Sequence, residues 1–447
     1  MYTVDFSRPC RIYFVGIGGI SMSAIAEVLR ERGFTVLGSD RAESEVTKRL
    51  EEKGVRIFYG QRRENITPDI DCVVFTAAIH PDNPEYARTL ELGIPHMTRA
   101  EILGQLMKNY EMPVAVSGTH GKTTTTSMLS EILVKAGTDP TLFVGGMLPS
   151  IGGNIRVGHS GYFVTEACEY TNSFLSFFPR IGIILNVEED HMDFFHDLAE
   201  IRDSFARFAG LLPGDGALII NASIPDYREL TKNLSCKVIP FGPDPVDAYG
   251  EEVLYCPERI PLKLLVPGHH NELNAMAALA AAEYMGIRRE QAVAALEEFT
   301  GTERRFERKG TFGDGVQLVD DYAHHPTEIE ATLRAALTVP HRELWVTFQS
   351  HTYTRTKAFL EEFAEALSLA DHVVVVPIYA ARETDTLGVG PEDIAVRIRE
   401  RGKDAVSVPD FASAEEYLWT NCIKDDLCIT MGAGDVYKIG EGLLGRT

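Results

Sequence analysis

The sequence predicts an α/β protein of three domains, each a largely parallel sheet with crossover helices. Three observations predict it. Short β-branched runs alternate with amphipathic segments along the whole chain. Two of those runs open directly into glycine turns followed by helices, and two polar links divide the 447 residues into parts of ordinary domain size. The strand candidates are RIYFV, TVLG, CVVFTAAI, VAVSG, YFVTEA, IGIILNV, ALIINA, LWVTFQ, HVVVVPIY and LCITMG. Among the intervening segments, 21–32, 123–136 and 356–369 carry helical periodicity. The first link, KNYEMP (108–113), ends a helix in polar residues before Pro113, and the second is the charged, glycine-bearing ERRFERKGTFGDG (303–315). They set domains at 1–110, 111–309 and 310–447.

Composition narrows the function classes. With 65 acidic against 43 basic residues the net charge is −22, which argues against a nucleic-acid partner gripped through its phosphate backbone. A small phosphorylated ligand needs only a few local donors and stays open. Seven cysteines without a C-x-x-C pair indicate neither a disulfide framework nor a cysteine zinc site. No secretory core opens the chain and no apolar run reaches about 18 residues. The expectation is a cytoplasmic protein, monomer or homodimer, with no membrane insertion.

The most informative stretch is VAVSGTHGKTTTTSML, 114–129. An apolar strand delivers the chain to a turn whose backbone N–H groups and following helix N-terminus suit a phosphate; Lys122 adds a mobile cation and Thr123 a metal-facing hydroxyl. The usual cradle reads G-x-x-x-x-G-K-[ST]. Here Val116 occupies the first glycine position, and the loop starts at Gly118, two residues shorter.

A second turn, Gly16-x-Gly18-Gly19, follows RIYFV and precedes a helix, with Asp40 ending the next strand. It has the outline of a dinucleotide fingerprint, but Ser21 replaces the third glycine. Two readings follow, a nicotinamide dehydrogenase or a Rossmann-like domain holding another diphosphate. Further on, Glu166 ends a strand and His191 follows another at NVEEDHMD, so both belong at the carboxyl edge where ligands sit in open α/β sheets. A carboxylate there suits magnesium. Asn271 and Asn274 begin an alanine-rich helix, either capping it or reading a nucleotide. The third region brings Asp320, Asp321, Tyr322, His324 and His325 (LVDDYAHHPTEI) and His351 and Arg355 (TFQSHTYTRT) to strand ends, with Arg355 suited to clamp a carboxylate.

The order of GIGGISMSAIAEVL, GTHGKTTTT, NVEEDHMD, GHHNELNA, GTERRFE, DDYAHHPTE, HTYTRT and MGAGD resembles the Mur ligases of bacterial cell-wall synthesis over nearly the whole chain. The resemblance implies a Rossmann-like domain for a UDP sugar, a central P-loop ATPase and a C-terminal Rossmann-like domain. It implies ATP and Mg2+ as cofactors and, in the member most similar, UDP-N-acetylmuramate and L-alanine as substrates. By matching position, Gly118, Thr119, His120, Gly121, Lys122, Thr123 and Thr124 cradle the ATP phosphates; Thr123, Glu166 and His191 serve magnesium; and Asn271, Arg305 and Asp321 bind ATP. Gly16, Gly18, Gly19 and Asp40 fall to the UDP sugar, and Tyr322, His324, His325, His351 and Arg355 to the substrates. Lys122, Glu166, His191 and Arg305 carry the catalytic expectation.

Three departures accompany the resemblance. EACEYTN stands where the family often has E-A-D-E-S-D, and Thr352 stands where an arginine is common. No lysine occurs between Lys135 and Lys232, where several sister ligases carry a carbamylated one, which speaks against the D-glutamate and diamino-acid adders. The competing readings are a recycling ligase that attaches a preformed peptide, an inactive scaffold, and the dehydrogenase, which leaves the Gly118 loop without a task.

Overall fold

The computed structural model describes residues 2–76, 79–192, 194–381, 383–385 and 387–446. Ala77 and Ala78 of the predicted strand CVVFTAAI and Asp193 of NVEEDHMD lie outside that set. The chain forms two compact units, Met1–Pro261 with Ala275–Ala295 and Leu262–Asn274 with Leu296–Thr447. The helix His269–Tyr284 is therefore shared between them.

Two sheets build the first unit. One is all-parallel, with β1 (Arg11–Val15), β2 (Thr35–Asp40), β3 (Arg56–Tyr59), β4 (Cys72–Phe75) and β5 (His96–Thr98) in the order β3-β2-β1-β4-β5. Its register follows from the period-2 alternation of strand side chains: Ile12 and Phe14 enter one core while Tyr13 and Val15 enter the other. The second sheet contains β6 (Met112–Ser117), β7 (Thr141–Leu148), β8 (Gly153–Arg156), β9 (Tyr162–Glu166), β10 (Ile181–Ile184), β11 (Ala217–Asn221) and β12 (Lys237–Phe241) in the order β12-β11-β10-β6-β9-β7-β8. Only β7 and β8 pair antiparallel. The chain reverses through Pro149–Gly152, a glycine-rich hairpin whose weak alternation hid it from the pattern reading.

The second unit holds β13 (Glu307–Phe312), β14 (Val316–Asp321), β15 (Leu344–Phe348), β16 (His372–Val375), β17 (Asp404–Ser407) and β18 (Leu427–Met431), ordered β13-β14-β18-β15-β16-β17. All pairs are parallel except β13 with β14. One predicted helix is corrected. Residues 356–369 do not form one rod but fall into Tyr353–Ala358 and Leu360–Leu367, because Phe359 leaves the helical region (φ −115°, ψ 29°) and turns its ring onto His325 at 5.0 Å.

Both large sheets of the first unit send their carboxyl ends into glycine turns. β1 runs into Gly16 and β6 into Gly118.

Candidate active site

The Gly118 turn is held open by the neighbouring strand end rather than by itself. Gly118 adopts φ +144°, and a methyl there would stand 2.9 Å from Leu185 Cβ, so only glycine fits against the segment after β10. Asn186 of that segment closes the turn from below. Its Oδ1 accepts the His120 N–H at 2.7 Å, its Nδ2 donates to His120 O at 3.1 Å, and its carbonyl accepts the Thr119 N–H at 3.3 Å. Thr119 Oγ1 accepts the Glu188 N–H at 3.0 Å. Gly121, at φ +83°, then starts the helix Lys122–Lys135, in which Thr123 is buried. Asn186 opens the NVEEDHMD motif, yet sequence reasoning gave it no role.

Lys122 folds back over the turn. Its ammonium donates to Gly118 O and to Thr119 O at 3.0 Å, and it faces both oxygens of Glu169 at 3.0 and 3.3 Å. Burial works against the charge, but Glu169 outweighs it and holds the ammonium above the usual lysine range. Glu169 is 3% exposed and also lies 3.7 Å from His191 Nε2. Like Asn186, it carries no role in the sequence reading. The fourth letter of E-A-D-E-S-D is intact in EACEYTN, but the three changed letters drew attention to what was lost.

Glu166, at the end of β9, stands in the same arc. Its Oε1 accepts the Gly145 N–H at 2.6 Å, an approach open only to glycine, since a methyl at Gly145 would sit 2.5 Å from that oxygen. His191 takes a left-handed backbone (φ 55°), its N–H donates to Asp190 Oδ1 at 2.7 Å, and its ring lies 4.7 Å from that of Tyr170. Among the described residues no group of three or more His, Cys, Asp or Glu is arranged to hold a metal ion. A magnesium held chiefly by nucleotide phosphates and water needs only one or two carboxylates. Glu166, part-exposed at the strand end, fits that requirement.

At the N-terminal turn the ligand groups are of opposite sign. Gly16 (φ +81°) and Ile17 donate their N–H groups to Ser39 O, and Gly18 donates to Asp40 Oδ2 at 2.7 Å. A methyl at Gly18 would meet that oxygen at 2.8 Å. Gly19 precedes the helix Ile20–Glu31 as its N-cap. Behind the turn, Glu85 is fully buried and accepts from Tyr13 Oη (2.9 Å), Ser39 Oγ (2.6 Å) and Asn65 Nδ2 (2.6 Å). Burial raises its pKa.

The second unit gathers most of its predicted residues on one face. The rings of Tyr322 and His324 are 5.4 Å apart, those of His324 and His351 5.8 Å, and His351 stacks on Tyr379 at 5.7 Å. Arg304 and Arg305 lie over Tyr322 at 4.9 and 5.1 Å. Two residues expected to meet ligands also hold the local backbone and packing. Asp321 accepts from the backbone of Phe306 (2.7 Å) and Ala323 (2.8 Å) and from Thr332 Oγ1 (3.2 Å), and burial, opposed by Arg305, lifts its pKa to about 6. His325 is buried at the N-cap of the helix Pro326–Ala336, against Phe359. Asn271 donates to Pro267 O at 2.7 Å, closing the turn before its helix, and Asn274 donates to Asn271 Oδ1 at 3.4 Å. Arg355 lies in the helix Tyr353–Ala358, whose N-cap Thr352 is held at φ 65°.

Three family models match the chain in sequence: Mur ligase family, catalytic domain, over residues 11–111; Mur ligase middle domain over 116–282; and Mur ligase, glutamate ligase domain, over 304–434. The chain belongs to the Mur ligase family. As a Mur ligase it is 53% identical to the UDP-N-acetylmuramate--L-alanine ligase of Lachnospira eligens, over 99% of this chain and 100% of that one. It is 52% identical to the enzyme of the same name from Agathobacter rectalis, with the same coverage. Among solved structures this Mur ligase is similar to the UDP-N-acetylmuramate-alanine ligase MurC of Thermotoga maritima, with TM-score 0.79, 31% identity and 98% of each chain covered. It is also similar to a murein peptide ligase of Psychrobacter arcticus, with TM-score 0.67, 25% identity and 97% and 98% covered. No helix among its described residues is long and apolar enough to cross a membrane.

Proposed function

We propose that this Mur ligase joins L-alanine to the lactyl carboxylate of UDP-N-acetylmuramate at the expense of ATP, which leaves as ADP and phosphate. The observation that carries the choice of amino acid is the full-length likeness: 53% and 52% identity to enzymes named for alanine addition, and a structural match of 0.79 to the alanine ligase against 0.67 to the peptide ligase.

The chemistry suits the residues. A carboxylate is a poor acyl donor because its leaving group would be oxide. Attack of the lactyl oxygen on the γ-phosphorus expels ADP and leaves an acyl phosphate. The alanine amine then attacks the acyl carbon, the nitrogen loses its proton, and phosphate departs with the C–O bonding pair. Little is asked of the protein beyond bringing two anions together and neutralising them. Gly118 to Thr124 cradle the phosphates and Lys122 moves from Glu169 to the γ-phosphate. Thr123, Glu166 and His191 would hold magnesium, which supplies charge neutralisation when bound. Asn271, Arg305 and Asp321 bind ATP, and Asp321 also fixes the turn next to Arg305. Gly16, Gly18, Gly19 and Asp40 hold the UDP sugar. Tyr322, His324, His325, His351 and Arg355 take the substrates, His325 also packing against Phe359. The domain limits 1–110, 111–309 and 310–447 and a cytoplasmic location belong to the same reading.

Phosphate release by purified protein with ATP, magnesium and UDP-N-acetylmuramate tests it, with L-alanine, glycine, L-serine and a tripeptide compared as acceptors. The expected result is stimulation by L-alanine above the rest. Stimulation only by the tripeptide would assign the recycling activity instead.

A further inference from the structure

In GTERRFE the resemblance gives work to Arg305 and none to Arg304, although Arg304 is the more heavily engaged of the two. It precedes β13 with its backbone at φ 58°, a left-handed conformation that side chains rarely adopt and that persists only where the surroundings over-determine it. Here they do. The Arg304 N–H donates to Glu307 Oε2 at 2.9 Å, and its carbonyl accepts the Tyr322 N–H at 2.7 Å. The guanidinium then joins three elements of the second unit. Its Nε donates to Asp320 Oδ2 at 3.0 Å, in β14, and its Nη2 donates to Gly432 O at 2.6 Å, just past β18. It also lies over two rings, Tyr322 at 4.9 Å and Tyr437, the first residue of the helix Tyr437–Gly445, at 4.8 Å.

These contacts bear on the predicted site because Tyr322, His324, His351 and Tyr379 form a row, with successive ring centroids 5.4, 5.8 and 5.7 Å apart. Arg304 reaches both ends of it. At one end it covers Tyr322. At the other, the turn that opens at Gly432 packs on Tyr379, since a methyl on Gly434 would stand 2.8 Å from Tyr379 Cβ. Gln349 ties that turn down, its Oε1 accepting the Val436 N–H at 3.1 Å. Asp320, only 2% exposed, anchors the guanidinium and takes a second bond from Thr430 Oγ1 at 2.6 Å. A planar fork can serve a carboxylate, a carbonyl and two ring faces at once, which an ammonium cannot. We propose that Arg304 is a positioning residue for the amino-acid substrate: it fixes Tyr322, and with it the row of rings, without touching the substrate itself. The inference rests on the function proposed above.

Steady-state kinetics of the full chain test it, with the KM values for L-alanine and UDP-N-acetylmuramate measured at saturating ATP and stability measured by urea unfolding. Arg304→Met should raise the KM for L-alanine roughly tenfold and leave kcat and the KM for UDP-N-acetylmuramate within about twofold. Stability should fall as well, because Asp320 loses its cation. Arg304→Met with Asp320→Asn should return the stability and not the KM; should the single variant fail to fold, this pair gives the same reading. Arg304→Lys should fall between parent and Arg304→Met. In a Tyr322→Leu background, Arg304→Met should add no more than about a twofold change, because the ring through which it acts is gone. Recovery of the KM together with stability in the double variant would make the arginine a residue of the fold alone and overturn the proposal. Equal rises for both substrates, no rise for L-alanine, or the full rise in the Tyr322→Leu background would overturn it too. Absence of alanine-dependent phosphate release in the unsubstituted protein would instead overturn the function on which it rests.

Discussion

The Gly16 and Gly118 turns share one design, a parallel strand, a glycine with positive φ and a helix, and they settle their charge in opposite ways. The first turn spends an acidic side chain on itself: Asp40 accepts the Gly18 N–H and so removes one donor that a phosphate could have used. The second leaves its cation movable. Lys122 is satisfied by Gly118 O, Thr119 O and Glu169, all of which an incoming phosphate can replace. A turn closed by its own carboxylate suits a ligand that is bound and kept. A turn guarded by an ion pair suits one whose phosphate is transferred.

The largest break in that contrast is Lys122→Ala. Turnover should fall at least about 1,000-fold. Glu169 would then be a buried carboxylate without its ammonium, a loss of about 3 kcal/mol measured by urea unfolding. Adding Glu169→Gln should return the stability and not the turnover. If stability and turnover recovered together, the pair would be structural and the cradle assignment wrong.

A second test reaches the other unit, where charge is buried for architecture. Burial raises Asp321 from 3.8 to about 6 and lowers His270 from 6.5 to about 4. The signs oppose. Asp321 takes up protons on folding between those values, so its contribution is greatest in acid and is lost as pH rises from 4 to 6. His270 releases them, so its contribution is lost as pH falls from 6.5 to 4. Each amounts to about 3 kcal/mol, and together they nearly cancel. Asp321→Asn should therefore make unfolding stability rise more steeply with pH between 4 and 6 than it does in the parent. The same slope in variant and parent would contradict the raised Asp321 carboxyl.

These residues also mark what the sequence made legible. The three-domain α/β architecture was readable because parallel strands buried on both faces appear as continuous β-branched runs. Lys122, Thr123, Glu166 and His191 could be proposed from sequence because each lies at or after a strand end. Glu169 and Asn186 lay inside quoted motifs, but their value is a contact to residues 47 and 66 positions away, and no local pattern carries that. The break at Phe359 escaped because two short amphipathic helices in line keep the period of one long helix.

The smallest effect separates holding from reading at the first turn. If Asp40 serves chiefly to fix Gly18, Asp40→Asn keeps an oxygen acceptor for that N–H and should raise the KM for UDP-N-acetylmuramate only about two- to threefold. Asp40→Ala, which frees the N–H and opens space beside Gly18, should raise it roughly tenfold, the worth of about one hydrogen bond to a charged group. The KM for ATP should stay unchanged in both, because the second turn owes nothing to this carboxylate. A change in the ATP value would mean the two turns are coupled through the first unit. Equal losses in the Asn and Ala variants would mean that the negative charge itself meets the sugar nucleotide, and that the first turn, like the second, uses its charge on the ligand.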